Sequence, residues 1–266
     1  MRHRPVKSLD AKIAALSHLL LLSEDREKCH PACPRLSSQG GKGERSEGSS
    51  HPGRWYEREA PRYIIPEAFE AAPVYVEFGC GKGDFINALS QAPEAARTGA
   101  LAIGIEGGGS IVLAAMRKTD EAGISNVRYI KSYVNDATTA FAESSLDGIF
   151  LNFSDPWPKD RHADRRLTAP LKAAAYHSVL KPGGFAVVKT DGKALYEYSL
   201  ETFRNAGFTL IYQTTNLKAG SSDDIRKTIP FIPEMALVGV QAQTEYERKF
   251  RGLGYPIYCF IAIRIA

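Results

Sequence analysis

Apolar residues along this chain fall into short blocks separated by polar turns, and the blocks follow two different periods. Val74 to Phe78, Leu101 to Ile105, Val127 to Ile130, Asp147 to Asn152, Phe185 to Thr190 and Phe208 to Thr214 are compact runs rich in Val, Ile, Leu and Phe, which predict buried strands. Between them lie stretches with one apolar face. Asp84 to Gln91 follows a glycine turn, and Ser110 to about Ala122 places Ile111, Ala114, Ala115 and Lys118 on one side. Thr168 to Leu180 stops at Lys181-Pro182-Gly183-Gly184, and Leu195 to Ala206 is closed by Gly207. Thr244 to Phe250 predicts a short helix and Pro256 to Ile265 a closing strand. The alternation predicts an α/β fold: a mostly parallel sheet covered by helices on both faces. No clear crossover helix joins the last two strands apart from the short one, so the sheet edge is expected to be antiparallel. The polar stretch after Thr214 carries no predicted element.

The N-terminal part reads differently. Ile13, Leu16, Leu19, Leu20 and Leu22 form a helical stripe within residues 8 to 23, with Ser8 or Asp10 as a possible cap. Residues 28 to 54 then collect Pro, Gly, Ser, Lys and Glu with Leu36 as almost the sole large apolar side chain, which describes a tether or exposed insertion with nothing to bury. The expected organisation is a basic start, short helix and insertion over residues 1–54, then a single domain over 55–266. The length of 266 residues and 44% hydrophobic content accommodate one large α/β domain. Leu19 to Leu22 is far too short an apolar run to span a bilayer, so no membrane partner and a cytoplasmic setting are expected. Cysteines at 29, 33, 80 and 259 are too scattered for a disulfide framework. Cys29 and Cys33 have no second pair at metal-binding spacing nearby, so no metal is expected.

Charge matters through its placement. The net value is only +4, but Lys159, Arg161, His162, Arg165 and Arg166 crowd behind Asp155-Pro156-Trp157-Pro158, and Arg2, Arg4 and Lys7 sit at the start. The prolines hold a carboxylate and an indole in a stiff turn at the end of a strand. A carboxylate, a flat aromatic and a set of fixed cations suit a purine on a phosphate backbone, though a solvated strand-to-helix connection has the same composition. Glu77 to Gly83, Glu106, Asn135 to Ala137 and Asp155 to Trp157 all fall at carboxyl ends of predicted parallel strands, where ligands of open sheets sit. Gly79, Gly81 and Gly83 let backbone approach a ligand, and Glu106 is placed to accept from both ribose hydroxyls. The spacing is Gly-x-Gly-x-Gly, which disfavours a dinucleotide, and no Gly-Lys-Ser/Thr supports ATP.

Glu77-Phe-Gly-Cys-Gly-Lys-Gly83, Gly104-Ile-Glu106, Asn152-Phe-Ser-Asp-Pro-Trp-Pro-Lys159 with Arg161-His162 and Arg165-Arg166-Leu167, Lys189-Thr-Asp191, Thr244-Glu-Tyr-Glu247 and Gly254-Tyr-Pro-Ile-Tyr258 together resemble the bacterial tRNA (guanine-N7-)-methyltransferase family. The likeness runs with gaps from about Val74 to the C-terminus, and the Asp-Pro-Trp-Pro-Lys element is its most specific part. It implies a Rossmann-like class I methyltransferase that uses S-adenosylmethionine to methylate N7 of the variable-loop guanosine of tRNA, position 46. By the same resemblance, Glu77 and Gly79 border the methionine end of the cofactor, with Gly81 and Gly83 completing the turn. Glu106 holds its ribose, and Asn135, Asp136 and Ala137 meet its adenine. Asp155 is the implied catalytic carboxylate, while Lys159, Asp191, Thr244 and Glu247 match residues that contact the acceptor or close the pocket. From the residues themselves, Lys159, Arg161, Arg165 and Arg166 read as phosphate contacts and Trp157 as a surface for stacking on the purine. Trp157 can equally brace its turn, and Thr244 with Glu247 at that spacing can equally form a capping box. Gly107-Gly108-Gly109 stands where the family carries bulkier residues, so looser packing against the adenine is expected. A nicotinamide-linked oxidoreductase and a nucleic-acid-binding protein without activity are the competing readings. The first lacks a Ser-Tyr-Lys set, and the intact Asp155, Glu106 and glycine turn disfavour the second.

Overall fold

The computed structural model describes residues 8–21, 63–133, 136–217, 221–229 and 231–265. Among the described residues, seven strands build one sheet: β1 (Val74–Phe78), β2 (Leu101–Ile105), β3 (Val127–Ile130), β4 (Leu146–Asn152), β5 (Leu180–Thr190), β6 (Thr209–Thr214) and β7 (Tyr258–Ile263). Their order is β3-β2-β1-β4-β5-β7-β6. β1 through β5 pair in parallel, and β7 runs antiparallel to both β5 and β6. The chain reverses its direction of travel across the sheet between β1 and β4, which opens a crevice beyond their carboxyl ends.

The antiparallel element expected at the edge is present, but the reversed strand is not the outermost one. β7 is buried along nearly its whole length and needs a neighbour on each side, whereas β6 is half-exposed throughout and tolerates an edge position. Insertion of the last strand between the two preceding ones follows from that difference.

The helices are α1 (Leu9–Ala14), α2 (Asp84–Ser90), α3 (Pro93–Thr98), α4 (Gly109–Glu121), α5 (Ala137–Ala140), α6 (Pro170–Val179), α7 (Lys193–Asn205), α8 (Ser221–Thr228), α9 (Glu234–Gln241) and α10 (Glu245–Gly252). On one face of the sheet, Phe85, Ile86 and Leu89 of α2, Val112, Leu113 and Met116 of α4, and Met235, Leu237 and Val240 of α9 pack with Tyr75, Phe150, Phe185 and Val187. On the other, Ala173, Tyr176 and Val179 of α6 and Tyr196 and Phe203 of α7 pack with Val76, Phe78, Leu151, Val188 and Phe260. No described helix is long and apolar enough to cross a membrane.

Four described helices, α3, α5, α8 and α9, escape the periodicity; α5 is only four residues long. α3 offers only Ala95 to the core; its signals are Pro93 at the first turn and Gly99 in the left-handed region at its end. α8 is polar nearly all round, with Ile225 buried. α9 is apolar nearly all round and lies on the sheet, so it has no polar face to set a period. The expected N-terminal helix is shorter than its stripe. α1 ends at Ala14, a 3-10 turn spans Ser17–Leu19, and Leu20 then bridges Tyr129 in parallel while Leu21 N donates to Tyr129 O at 3.0 Å. These residues cover the outer edge of β3. Neither expected cap acts, because Ser8 makes no side-chain capping bond and Asp10 lies inside the first turn. The basic start, the residue 24–54 insertion and the domain boundary at 55 lie outside the described residues.

The seating of α9 is tight at Gly239, where an added Cβ would overlap the Phe150 ring. Gly239→Ala is expected to destabilise the fold by about 1–3 kcal/mol through overpacking. Urea unfolding measures this, and an unshifted midpoint would mean that the helix does not rest on β4 in this way.

Candidate active site

Glu77 and Asn152 stand side by side near the carboxyl ends of β1 and β4. Register pairs Glu77 with Phe150, and Asn152 lies two residues further on the same face. Asn152 Nδ2 donates to Glu77 Oε1 at 2.9 Å. Glu77 Oε2 and Asn152 Oδ1 are both buried and receive no hydrogen bond from any described residue. Both residues line a cavity of about 210 Å³, with Gly79, Cys80, Gly81, Lys82, Asp84, Phe85, Phe153, Thr244, Glu245 and Tyr246 around it. Burial pushes the Glu77 carboxyl from 4.5 up to about 8, although the Asn152 bond and the Lys189 ammonium pull the other way. Two buried acceptors without a donor, one of them a carboxyl poised between its charge states, fit a ligand ammonium group.

The glycine turn forms one wall. Gly79, Gly81 and Gly83 all have positive φ, at 77°, 54° and 80°. The turn is tied to β2, because Gly79 N and Cys80 N both donate to Ile105 O, at 2.9 and 3.0 Å. Glu106 reinforces the tie: its Oε2 accepts from Gly81 N at 3.2 Å and its Oε1 from Gly108 N at 2.7 Å. Each oxygen keeps a lone pair for a further donor such as a sugar hydroxyl. Gly83 does not line the cavity. A Cβ there would meet the Tyr129 hydroxyl and Ala115, so this glycine serves close packing of α2 against α4 and β3 rather than a ligand. Burial pushes the Cys80 thiol well up, which leaves it unreactive.

The opposite wall is the start of α10. Thr244 caps this helix, its Oγ1 accepting from Glu247 N at 2.9 Å. Glu247 departs from the expected role at the acceptor pocket: it is fully buried and both of its oxygens are committed. Oε2 accepts from Lys189 Nζ at 2.8 Å, and Oε1 accepts from Arg251 Nε and Nη2 at 2.9 and 2.7 Å. Lys189 also donates to Ala242 O at 2.6 Å and lies against the Phe85 ring. Desolvation turned the carboxylate inward, since Lys189 at the end of β5 is itself buried and needs a counter-charge. The pair fixes Thr244, Glu245 and Tyr246 over the cavity. Tyr246 stacks on Phe250 and donates to Asp191 Oδ2 at 3.1 Å, so Asp191 reaches the rim through this tyrosine. Lys82 and Glu245 span the two walls with an exposed ion pair at 3.2 Å.

The Asp155-Pro-Trp-Pro158 turn projects from the end of β4, with Phe153 and Trp157 at φ values of 50° and 40°. Such backbone in non-glycine residues is strained and persists where surroundings enforce it. Arg166 supplies that enforcement. Its Nε donates to Pro156 O at 3.1 Å and its Nη2 to Trp157 O at 3.1 Å, while the guanidinium lies over the Tyr198 ring. Arg166 is therefore a clasp on the turn rather than a free phosphate contact. Trp157 is half-buried, with Arg165 over its ring and His162 edge-on to it, which makes it a brace. Partial burial and the surrounding cations hold His162 below its ordinary pKa. Asp155, Lys159, Arg161 and Arg165 are exposed.

Toward the β2 side, Asp136 is exposed and caps α5, its Oδ1 accepting from Thr138 N at 2.9 Å, and Ala137 is buried behind it. Asn135 lies outside the described residues. Gly107-Gly108-Gly109, where looser packing against the adenine was expected, are closely covered by the protein's own side chains. The Tyr133 ring covers Gly107, Ile111 and Glu106 Oε1 crowd Gly108, and Leu9 covers Gly109. Asn152, Lys82 and Tyr246 are site residues to which the sequence alone gave no role. Their signals were adjacency to the Asp-Pro-Trp-Pro element, to the glycine turn and to Thr244.

A family model described as a putative methyltransferase matches residues 71–260. The tRNA (guanine-N(7)-)-methyltransferase of Lachnoclostridium phytofermentans is 36% identical over 72% of this chain and 81% of its own length. Its counterpart in Geobacillus kaustophilus is 34% identical, with 77% and 90% covered, and that in Leuconostoc citreum 38% identical, with 71% and 80% covered. The chain belongs to the bacterial tRNA (guanine-N7-)-methyltransferase family. The span matched by the family model contains every described site residue named above.

For this family member the unpaired Glu77 oxygen has a measurable consequence. The folded chain holds the Glu77 proton up to about pH 8, against 4.5 when unfolded, so the folded state binds more protons in that window and stability falls as pH rises through it. Glu77→Gln removes this loss. The ligand-free variant is expected to melt above wild type near pH 9, with the gap closing toward about pH 5. Thermal melts of both proteins across that range test it, and a gap independent of pH would refute it.

Proposed function

We propose that this chain transfers the methyl group of S-adenosylmethionine to N7 of a guanosine in tRNA, at variable-loop position 46, in the cytoplasm. The observation that carries the reading is the pair of donorless buried acceptors, Glu77 Oε2 and Asn152 Oδ1, on a cavity between the glycine turn and α10. They suit the methionine ammonium, and Glu106 keeps acceptor capacity for the two ribose hydroxyls. When bound, the cofactor supplies an electrophilic methyl on a sulfonium.

Guanine N7 carries a lone pair and no hydrogen, so its attack needs no general base. What the chain must provide is alignment, exclusion of water and a place for positive charge as the purine is alkylated. Asp155 is suited to that last task. It lies three residues beyond Asn152, is exposed, and has no hydrogen-bond partner among the described residues. Its carboxylate can accept from guanine N1–H and the N2 amine, which favours guanine over adenine and grows stronger as the ring becomes cationic. Arg166 and Trp157 hold the turn that presents it. Phe153 and Tyr246, with ring centroids 5.1 Å apart, form an apolar flank that excludes water. Lys159, Arg161 and Arg165 form the exposed cationic face for tRNA phosphates.

The test is incubation of the full chain with labelled S-adenosylmethionine and unmodified tRNA, followed by nucleoside analysis. The label is expected in 7-methylguanosine at position 46, and label in another nucleoside or none would overturn the reading. Asp155→Asn is expected to lower methyl transfer by about 100-fold or more while changing cofactor affinity less than about threefold. Equal losses in both would remove Asp155 from its role. Reversing Lys159, Arg161 and Arg165 to Glu is expected to raise KM for tRNA and flatten its dependence on salt. An unchanged salt slope would return them to a merely solvated face.

A further inference from the structure

Three glycines directly after Glu106 leave that stretch, next to the glycine turn, without side chains of its own, and each vacated place is filled from elsewhere. The most telling occupant is Tyr133. Its ring rests on Gly107 so closely that a Cβ there would overlap three ring carbons, Cδ1, Cε1 and Cζ. Gly107 does not need glycine for its dihedral angles, since its φ lies outside the left-handed region. The close approach is therefore what requires glycine. Tyr133 is also 77% exposed, the largest exposure of any described tyrosine on the protein surface. One face of the ring is held against backbone and the other is open.

Position gives that open face a use. β2 and β3 are parallel neighbours in register at Ile105 and Ile130, so the residues just beyond them, Glu106-Gly107 and Tyr133, emerge together at the carboxyl end of the sheet. Glu106 faces the glycine turn through Gly81 N, and Asp136 begins α5 on the far side. A flat apolar surface next to a carboxylate with spare acceptor capacity matches a purine beside its ribose. We propose that Tyr133, seated on Gly107, is the wall against which the adenine of S-adenosylmethionine packs, taking the place of a side chain on residue 107. The inference rests on the reading above that Glu106 holds the ribose. It makes the glycine run a substitution of one wall for another: the aromatic arrives from the β3 side, and residue 107 must be small to admit it.

The test is calorimetric binding of S-adenosylhomocysteine and of adenosine to the full chain. Tyr133→Ala is expected to weaken both ligands by a similar factor of about ten, because the methionine tail does not touch this wall. Tyr133→Phe should bind within about twofold of wild type, since stacking needs the ring and not the hydroxyl. Gly107→Val alone should weaken binding by evicting the ring, while Gly107→Val combined with Tyr133→Ala should bind more tightly than either single variant, because the valine then supplies an apolar wall in the vacated space. Weaker binding of both ligands to Tyr133→Ala at an unchanged melting temperature is the result that a purely structural role for Tyr133 would not give. Glu106→Gln is the control. If it weakens binding and Tyr133→Ala does not, the adenine wall is overturned and the ribose reading stands. If neither changes affinity, both fail. A lower melting temperature for Tyr133→Ala with unchanged affinity would make the tyrosine a cover for Gly107 and nothing more.

Discussion

A carboxyl group sealed among apolar strands with one oxygen unpaired is unfavourable unless something arrives to meet it. Glu77 is in that position: Asn152 satisfies one oxygen, and the other is buried without a donor among the described residues. The sheet makes the arrangement possible, because β1 and β4 are adjacent where the strand order reverses, so two polar side chains emerge together into the crevice. The cavity, the glycine turn and the closing helix are all disposed around this pair. Local stability given up in this way would be recovered by a cationic ligand group on the proposed reading of the site.

The second constraint is the buried ion pair between Lys189 and Glu247. Both side chains are fully removed from solvent, and Arg251 and the Ala242 carbonyl complete the network. Breaking such a pair typically costs about 3–5 kcal/mol, because the surviving charge is stranded. Its geometric effect matters as much. It joins the end of β5 to α10, which holds Thr244 and Tyr246 above a floor made by β1 and β4. A helix distant in sequence thereby becomes one wall of the site. The exposed Lys82–Glu245 contact across the mouth is of a different kind, since a solvated pair contributes little and opens readily.

The basic stretch after Trp157 separates into two jobs. Arg166 turns inward to the carbonyls of a strained turn and to Tyr198, while Lys159, Arg161 and Arg165 remain exposed. A guanidinium can bridge two carbonyls and lie on a ring at once, which suits it to bracing. Neighbouring cations thus divide into one that shapes the Asp155 turn and others that can meet a polyanion.

Much of this molecule is determined by local pattern. The central strands read as apolar runs, the glycine turn and Glu106 as residues with chemistry at strand ends, and the Asp-Pro-Trp-Pro element as a rigid turn at the end of β4. These survive folding because each depends on near neighbours in the chain. The tertiary structure decided what depends on distant partners. α9 was illegible because it is apolar nearly all round, and its helical form matters only once it lies on β4. Insertion of β7 inside β6 depends on which strand can bear an exposed edge. Glu247 was drawn inward by Lys189, 58 residues away in sequence. Gly107 made room for Tyr133 across two strands. Spacing reports which side chains share a face, but it carries no record of which buried charge will need a partner or which ring will fill a gap.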